Sequence, residues 1–266
     1  MYDDSIYLPL PHTIIQAATS SLLYRITEGN NSVRERFGKH TLEDYNYMLF
    51  QKSGVYDEVK SEYRYVHSGQ EKRTMDVMVR RGEYCLLIES KSMVPSTRVR
   101  VYDETAIEDF CSKTVAAIVQ VYRHITCQFM IEYFPFDEAI QFAQDSIFGI
   151  VVLLEDHYIR RDILFRQAAQ KLAIDYESDE YKYLCSHVKV LSLFEVERMT
   201  LRSVDIIEAC SSVIDDPIHW FDYTLPNDEE YSSRSTIIDC FVENETNELL
   251  SLAEELVSMG LLQEGG

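Results

Sequence analysis

The clearest pattern along the chain is a pair of apolar runs that predicts a β-hairpin. Residues 74–79 and 84–91 are both rich in Val, Leu, Ile and Met. The four residues between them, 80–83, are charged and include a glycine, which is typical of a short hairpin loop. The sequence therefore predicts two antiparallel strands, with the second ending at about Lys91.

Alternation along this second strand separates a core face from a charged face. Side chains two residues apart point the same way, so Leu86 and Ile88 are expected to enter the core while Glu89 and Lys91 share the opposite face. Asp76 is on the neighbouring strand. Two carboxylates and an ammonium at the end of an apolar hairpin are costly to hold together unless chemistry uses them.

The rest of the pattern predicts helices and strands in alternation. Apolar residues at spacings of three and four predict a long amphipathic helix over 104–127, and the continuous apolar run 146–154 predicts a strand covered on both faces. Thr41, with Asp44 three residues later, predicts the start of a helix that stops at Ser53 and Gly54. Further patterns predict helices over 13–27, 158–173 and 200–212, and strands over 59–66 and 187–194. The fold class is α/β.

Asp76, followed on the next strand by Glu89-Ser90-Lys91, resembles the motif of the PD-(D/E)XK nuclease superfamily, which has the restriction-endonuclease-like fold. The triplet alone is not specific, because the chain also contains Glu58-Val59-Lys60 and Glu180-Tyr181-Lys182. Only the triplet at 89–91 closes an apolar strand and has an Asp on the strand before it. On spacing alone, a solvated Asp76 beside an exposed Glu89–Lys91 pair is the alternative.

The resemblance covers about residues 35–195 and implies a mixed central β-sheet flanked by helices, with the long helix crossing between the third and fourth strands. We therefore divide the chain into an N-terminal helical extension (1–34), a nuclease-like core (35–214) and an acidic C-terminal helical extension (215–266). The last of these has a leucine-rich amphipathic pattern over 243–262, which predicts a helix. This helix is expected to dock either on its own domain or on a partner.

The resemblance also implies chemistry. Asp76, Glu89 and the carbonyl of Ser90 are the expected ligands of Mg²⁺, with Mn²⁺ as a substitute, and hard oxygen donors are what this ion prefers. Lys91 is expected to orient or deprotonate the attacking water and to offset charge in the transition state. The expected activity is hydrolysis of phosphodiester bonds, in DNA more than in RNA.

Further positions match the superfamily less tightly. Glu43, on the helix before the first strand, is a candidate metal ligand, and Gln120, off the apolar stripe of the long helix, is a candidate catalytic residue. The alternative for both is an ordinary solvated side chain. Candidate nucleic-acid contacts are Arg73, Arg98, Arg100 and Lys113, for which surface exposure alone is again the alternative.

Charge qualifies this hypothesis. The chain carries 45 acidic and 25 basic residues, a net charge of −20, which disfavours general attraction to nucleic acid. Residues 60–100 are the exception, with nine Lys or Arg and five acidic residues. From Asp205 to residue 266 there are fifteen acidic residues and a single basic one, Arg234. An alternative function is therefore a nuclease-fold subunit that does not cut, and that binds a protein partner, or a second copy, through its acidic C-terminal region.

Targeting patterns are absent from the sequence. The N-terminus lacks the basic and apolar regions of a signal peptide, and the apolar run 147–154 has only eight residues, too few to span a membrane. The six cysteines have no zinc-like spacing, which favours reduced thiols in an intracellular compartment, the cytoplasm or, in a eukaryote, the nucleus. No role at a membrane is expected.

Overall fold

The structure is a computed structural model, and it describes residues 42–93, 96–100, 103–137, 140–155 and 160–212. The predicted extensions 1–34 and 215–266 lie outside the described residues, as do Thr41 and the predicted helices 13–27 and 243–262. The division of the chain into three parts stays a prediction.

Seven strands and seven α-helices make up the described residues. The strands are β1 (Glu58–Ser61), β2 (Arg64–His67), β3 (Gln70–Arg73), β4 (Val77–Arg81), β5 (Tyr84–Lys91), β6 (Ile147–Leu153) and β7 (Val188–Ser192). The helices are α1 (Asp44–Lys52), α2 (Thr97–Arg100), α3 (Glu104–Arg123), α4 (Arg161–Leu172), α5 (Asp179–His187), α6 (Leu193–Leu201) and α7 (Ile206–Ser212). A π-helical turn, His124–Gln128, extends α3.

Five of the strands form one mixed sheet in the order β1-β4-β5-β6-β7. The pairs β1–β4 and β4–β5 are antiparallel, whereas β5–β6 and β6–β7 are parallel. Helix α3 follows the third strand of this sheet and leads to the fourth. The α/β class and the mixed sheet flanked by helices are confirmed, and the order of elements is the one that the resemblance implied.

Both faces of the sheet are covered, which places the core in two layers. One layer packs α3, α4 and α5 on the sheet through residues such as Ile118, Leu164 and Leu184. The other packs α1, α6 and α7 through residues such as Phe50 and Val196. Strand β6 is buried along its whole length, as expected for a strand without polar alternation.

The hairpin is confirmed, but β4 begins at Val77, so Asp76 lies just before the strand, and the loop is only Gly82 and Glu83 because Arg80 and Arg81 are paired with β5. The strand predicted over 59–66 is two strands. β1 pairs with β4 in the main sheet, whereas β2 pairs with β3 in a separate two-stranded sheet. The break falls at Glu62, whose N–H donates to the carbonyl of Asp76. Local alternation could not reveal the break, because β1 and β2 have different partners.

The β-rich run predicted over 187–194 ends earlier, at Ser192. The Ser192 hydroxyl accepts from the Glu195 N–H and the Glu195 carboxylate accepts from the Ser192 N–H, so a capping box starts α6 at this point. The helix predicted over 200–212 is wrong in its first half, since α6 ends at Leu201 and Ser203 has a positive φ of 53° before α7 begins. Helix α5 was not predicted.

Two further expectations can be compared with the described residues. Within them, no helix is long and apolar enough to cross a membrane. Five of the six cysteines are described, all as free thiols, with Cys85, Cys111 and Cys210 buried.

Gly149 lets α3 approach the sheet closely. A Cβ atom at this position would lie 2.2 Å from Val121 Cγ1 of α3, and β-branched valine has little freedom to move away. We expect Gly149→Ala to lower the free energy of unfolding by about 1–3 kcal/mol through overpacking, as measured by urea denaturation. If helix packing did not require the glycine, the substitution would instead stabilise the fold by about 0.4–1 kcal/mol, through the lower entropy of the unfolded chain.

Candidate active site

Asp76 and Glu89 face each other across the hairpin. The ladder ends with Val77 opposite Ile88, and Asp76 and Glu89 are the residues that come next to this pair on either side of the hairpin. The charge of Glu89 raises the pKa of Asp76, and the N–H of the next residue, Ser90, donates to Asp76 Oδ2, so the two carboxyl groups are close. Since Leu87, two residues before Glu89, packs in the layer under α3, both carboxylates belong to the α3 face of the sheet.

This position lies at the carboxyl edge of the three parallel strands. β5 and β6 end side by side at Lys91 and Leu153, and β7 ends beside them at Ser192. In open α/β sheets this edge is the usual place for a ligand. Asp76, Glu89 and Lys91 therefore lie at the edge of the sheet where this architecture usually binds a ligand.

Hydrogen bonds join the motif residues. The backbone N–H of Ser90 donates to Asp76 Oδ2 over 2.6 Å, and the Lys91 ammonium donates to Glu89 Oε1. The side chain of Gln120, on α3, is also hydrogen-bonded to the Glu89 carboxylate. Glu89 is almost fully buried, whereas the Lys91 side chain remains 30% exposed.

Both carboxyl groups have raised pKa values. Burial is the main cause of the raised pKa of Asp76, followed by the charges of Glu89 and Glu43, and these outweigh the Ser90 N–H and Lys91. Burial also raises the pKa of Glu89, although Lys91 and Gln120 act in the opposite direction. Buried acids that repel one another are the arrangement that a divalent cation would stabilise.

Two elements bring further groups that the motif does not include. Glu43, just before α1, is close enough for its charge to act on Asp76, so this predicted residue is near the site. Glu62, which sequence reasoning had not selected, follows β1 and acts on Glu89 in the same way. No pattern in the sequence marked Glu62, because its position depends on the pairing of β1 with β4.

Asn46 is the second residue that sequence reasoning missed. It is fully buried on α1, and its Nδ2 donates to Ser90 Oγ over 2.9 Å. A signal for it exists, since Asn46 comes three residues after Glu43 and so lies on the same side of the helix. Burying a side-chain amide among the apolar residues of a helix costs free energy unless its polar atoms form hydrogen bonds.

The predicted nucleic-acid contacts are not gathered at the site. Arg73 is nearest, through an ion pair of 3.3 Å with Glu62, while Arg98 pairs with Asp103 and Lys113 with Asp109. Arg100 ends α2, but its side chain is outside the described part of the chain.

The basic residues of 60–100 are also less available than their number suggested. Every one whose side chain the structure describes is in an ion pair, including Lys60 with Asp137, Lys72 with Glu132 and Arg81 with Asp205. The remaining pairs are those of Arg64, Arg73, Arg80, Lys91 and Arg98. Several are exposed, and exposed pairs contribute little stability, about 0–1 kcal/mol, so a phosphate can replace the acid at small cost.

The donors present fit a magnesium site of the open kind. Asp76 and Glu89 supply carboxylate oxygens, and the Ser90 carbonyl points to the same side of β5 as the Ser90 N–H, which bonds to Asp76. Among the described residues no group of three or more His, Cys, Asp or Glu side chains is placed to hold a metal ion. Two carboxylates with water and phosphate completing the octahedron are, however, the usual set for Mg²⁺, which seldom has an all-protein cage.

Comparison with solved structures finds a structural similarity. The chain is similar to the small subunit of the heterodimeric restriction endonuclease R.BspD6I, with a TM-score of 0.34 and 13% sequence identity, over 73% of this chain and 89% of that chain. No family model matches the sequence, and no curated protein does. A similarity of this size does not carry a function over, so the function is inferred from the residues of this chain.

Proposed function

We propose that this protein is a divalent-metal-dependent nuclease of the PD-(D/E)XK type that hydrolyses phosphodiester bonds. The observation that supports it is the meeting of Asp76, Glu89 and Lys91 at the carboxyl edge of the sheet, with the two carboxyl pKa values raised. DNA is preferred over RNA as the substrate by analogy with the superfamily alone.

In this proposal Asp76, Glu89 and the Ser90 carbonyl hold Mg²⁺, or Mn²⁺ in its place, with Glu43 near enough to act through a bound water. The ion, when bound, polarises the phosphate and supplies an activated water. Lys91 donates hydrogen bonds to the attacking water or to the phosphate, and its charge offsets the negative charge that develops there. Gln120 fixes the orientation of the Glu89 carboxylate.

The phosphate backbone is held by arginines and lysines around the site. Arg73 is the best placed, because it reaches Glu62 beside Glu89. We retain Arg98, Arg100 and Lys113 as more distant contacts. At each exposed ion pair, a phosphate of the nucleic acid replaces the carboxylate as the partner of the Lys or Arg side chain. Binding is therefore expected to depend on salt concentration.

A second candidate is favoured by the ion pairing of the basic residues and by the net charge of −20. It is a nuclease-fold subunit that does not cut on its own, and that binds a protein partner or a second copy through its acidic C-terminal region. The two candidates differ in what the isolated chain does to nucleic acid.

The test is cleavage by the purified protein. We expect it to cut linear, circular or single-stranded DNA with Mg²⁺ or Mn²⁺, to stop when EDTA is added, and to lose the activity in Glu89→Gln, which removes one charged oxygen donor. Glu180→Gln is the matched control, because Glu180 belongs to the triplet with the same spacing outside the site. If the wild type cuts none of these substrates while a protein is captured through residues 215–266, the second candidate replaces the first.

A further inference from the structure

Asn46 is hydrogen-bonded to the side chain of Ser90, in the strand that carries the site. Its side chain is fully buried, its Nδ2 donates to Ser90 Oγ over 2.9 Å, and its Oδ1 has no hydrogen-bond partner. Buried polar atoms are nearly always paired, so an unpaired one needs an explanation. Stability does not provide it, because an apolar side chain would fill this part of α1 without that cost.

Ser90 is the residue that Asn46 can control. On β5 the side chain of Ser90 points to the α1 face, while those of Glu89 and Lys91 point to the α3 face. The Ser90 N–H donates to Asp76 Oδ2, and the Ser90 carbonyl lies on the same side of the strand. A bond to Ser90 Oγ therefore limits rotation of the peptide that lies between the two charged residues of the motif.

We infer that Asn46 is a positioning residue of this site: it holds Ser90 so that the Ser90 N–H and carbonyl keep the orientation needed toward Asp76 and a divalent cation. The inference rests on the proposed function and deepens it. Helix α1 thus holds the site from one face of the sheet through Asn46, while α3 holds it from the other face through Gln120.

The consequence is a loss of ion affinity when the bond is removed. Outer contacts of this kind change metal affinity or activity by about 10–100-fold. We expect Asn46→Ala to weaken Mn²⁺ binding by this factor in calorimetry without nucleic acid. We also expect kcat to fall while KM for DNA stays the same, because Asn46 lies on the side of the sheet away from the exposed Lys91 ammonium.

Ser90→Ala tests the route through the hydroxyl and guards against misfolding of the first variant. It removes one oxygen atom, and we expect a loss of Mn²⁺ affinity similar to that of Asn46→Ala. The double variant should lose little more than either single one, since both remove the same bond. Losses that multiply, or an unchanged affinity in Ser90→Ala, would overturn the inference.

A buried polar residue outside the motif separates a positioning role from a contribution to stability. Thr200, on α6, is buried in the same layer of the fold and donates to the Val196 carbonyl over 2.8 Å. Thr200→Val should change the melting temperature but not the Mn²⁺ affinity. If Asn46→Ala behaves like Thr200→Val, Asn46 is structural and the inference is wrong.

The failure of this inference can be distinguished from the failure of the proposed function. If the wild type binds Mn²⁺ and cuts DNA while Asn46→Ala does both equally well, only the inference fails. If the wild type neither binds Mn²⁺ nor cuts, the proposed function fails, and the positioning role fails with it.

Discussion

Replacing Lys91 with alanine should lower the rate of phosphodiester cleavage by about 10²–10⁴-fold, the usual contribution of a positioned acid, base or charge. The reason is that Lys91 supplies the only ammonium in the motif, and its partly exposed side chain is bound to Glu89 and not to a distant acid. Lys91→Arg should not restore the rate, because a guanidinium cannot be deprotonated and has a different shape. Initial rates at saturating Mg²⁺ measure both variants.

Ion binding should respond to Lys91→Ala in the opposite direction. Removing the ammonium frees the Glu89 carboxylate from a competing cation, so Mn²⁺ affinity should be equal to that of the wild type or higher. Lys182→Ala is the matched control, since Lys182 belongs to the triplet outside the site, is exposed, and pairs with the preceding Asp179. Cleavage within threefold of the wild type in Lys91→Ala would contradict the role given to this residue.

The parts of the fold that local pattern determines were predictable. The hairpin, the long helix and the buried strand β6 each have a periodicity that belongs to one kind of element. Because Asp76 directly precedes one strand of the hairpin and Glu89 is near the end of the other, their proximity follows from the predicted hairpin. Glu43 and Gln120 were predicted through the resemblance, and the structure places Glu43 near Asp76 and Gln120 near Glu89, although their roles stay predictions.

What could not be predicted depends on contacts between distant parts of the chain. The separate sheet of β2 and β3 exists because β1 and β2 choose different partners, and nothing in residues 59–66 shows that choice. The basic character of residues 60–100 was visible by counting. That count could not show that Lys60 is paired with Asp137 or Lys72 with Glu132, and a charge that is already paired attracts phosphate less.

Asn46 shows the same limit within a helix. Its position three residues after Glu43 was readable, but its burial and its bond to Ser90, 44 residues away, were not. In the sequence alone, Asn46 cannot be told from a solvated residue of an amphipathic helix.

Asp76→Asn should abolish ion-dependent cleavage and yet stabilise the protein when no ion is present. The charged form of Asp76 is buried next to the acids Glu89 and Glu43, which is unfavourable in the folded state and raises its pKa. Asparagine keeps an oxygen for the Ser90 N–H but carries no charge. We expect the free energy of unfolding to rise by about 0.5–2 kcal/mol, measured by urea denaturation in EDTA.

The pH dependence of this gain has a definite sign. Because the folded pKa of Asp76 is above the unfolded one, its contribution to stability is complete below the unfolded pKa and is lost as the pH rises through the folded pKa. The asparagine side chain does not titrate, so its contribution to the free energy of unfolding does not change over that pH range. The advantage of Asp76→Asn should therefore be absent near pH 3 and grow toward neutral pH.

Addition of Mg²⁺ should reverse the order of stability. An ion that binds only the folded state adds about 2.7 kcal/mol at a concentration of 100 times its dissociation constant, and it should do so for the wild type but not for Asp76→Asn. Asp109→Asn, which removes an exposed acid paired with Lys113, should change neither quantity by more than about 0.5 kcal/mol. If Asp76→Asn instead unfolds more easily in EDTA and is still stabilised by Mg²⁺, Asp76 holds the hairpin together and does not bind the ion. A residue that destabilises the fold until its ligand binds is a functional residue, and urea denaturation with and without Mg²⁺ tests whether Asp76 is one.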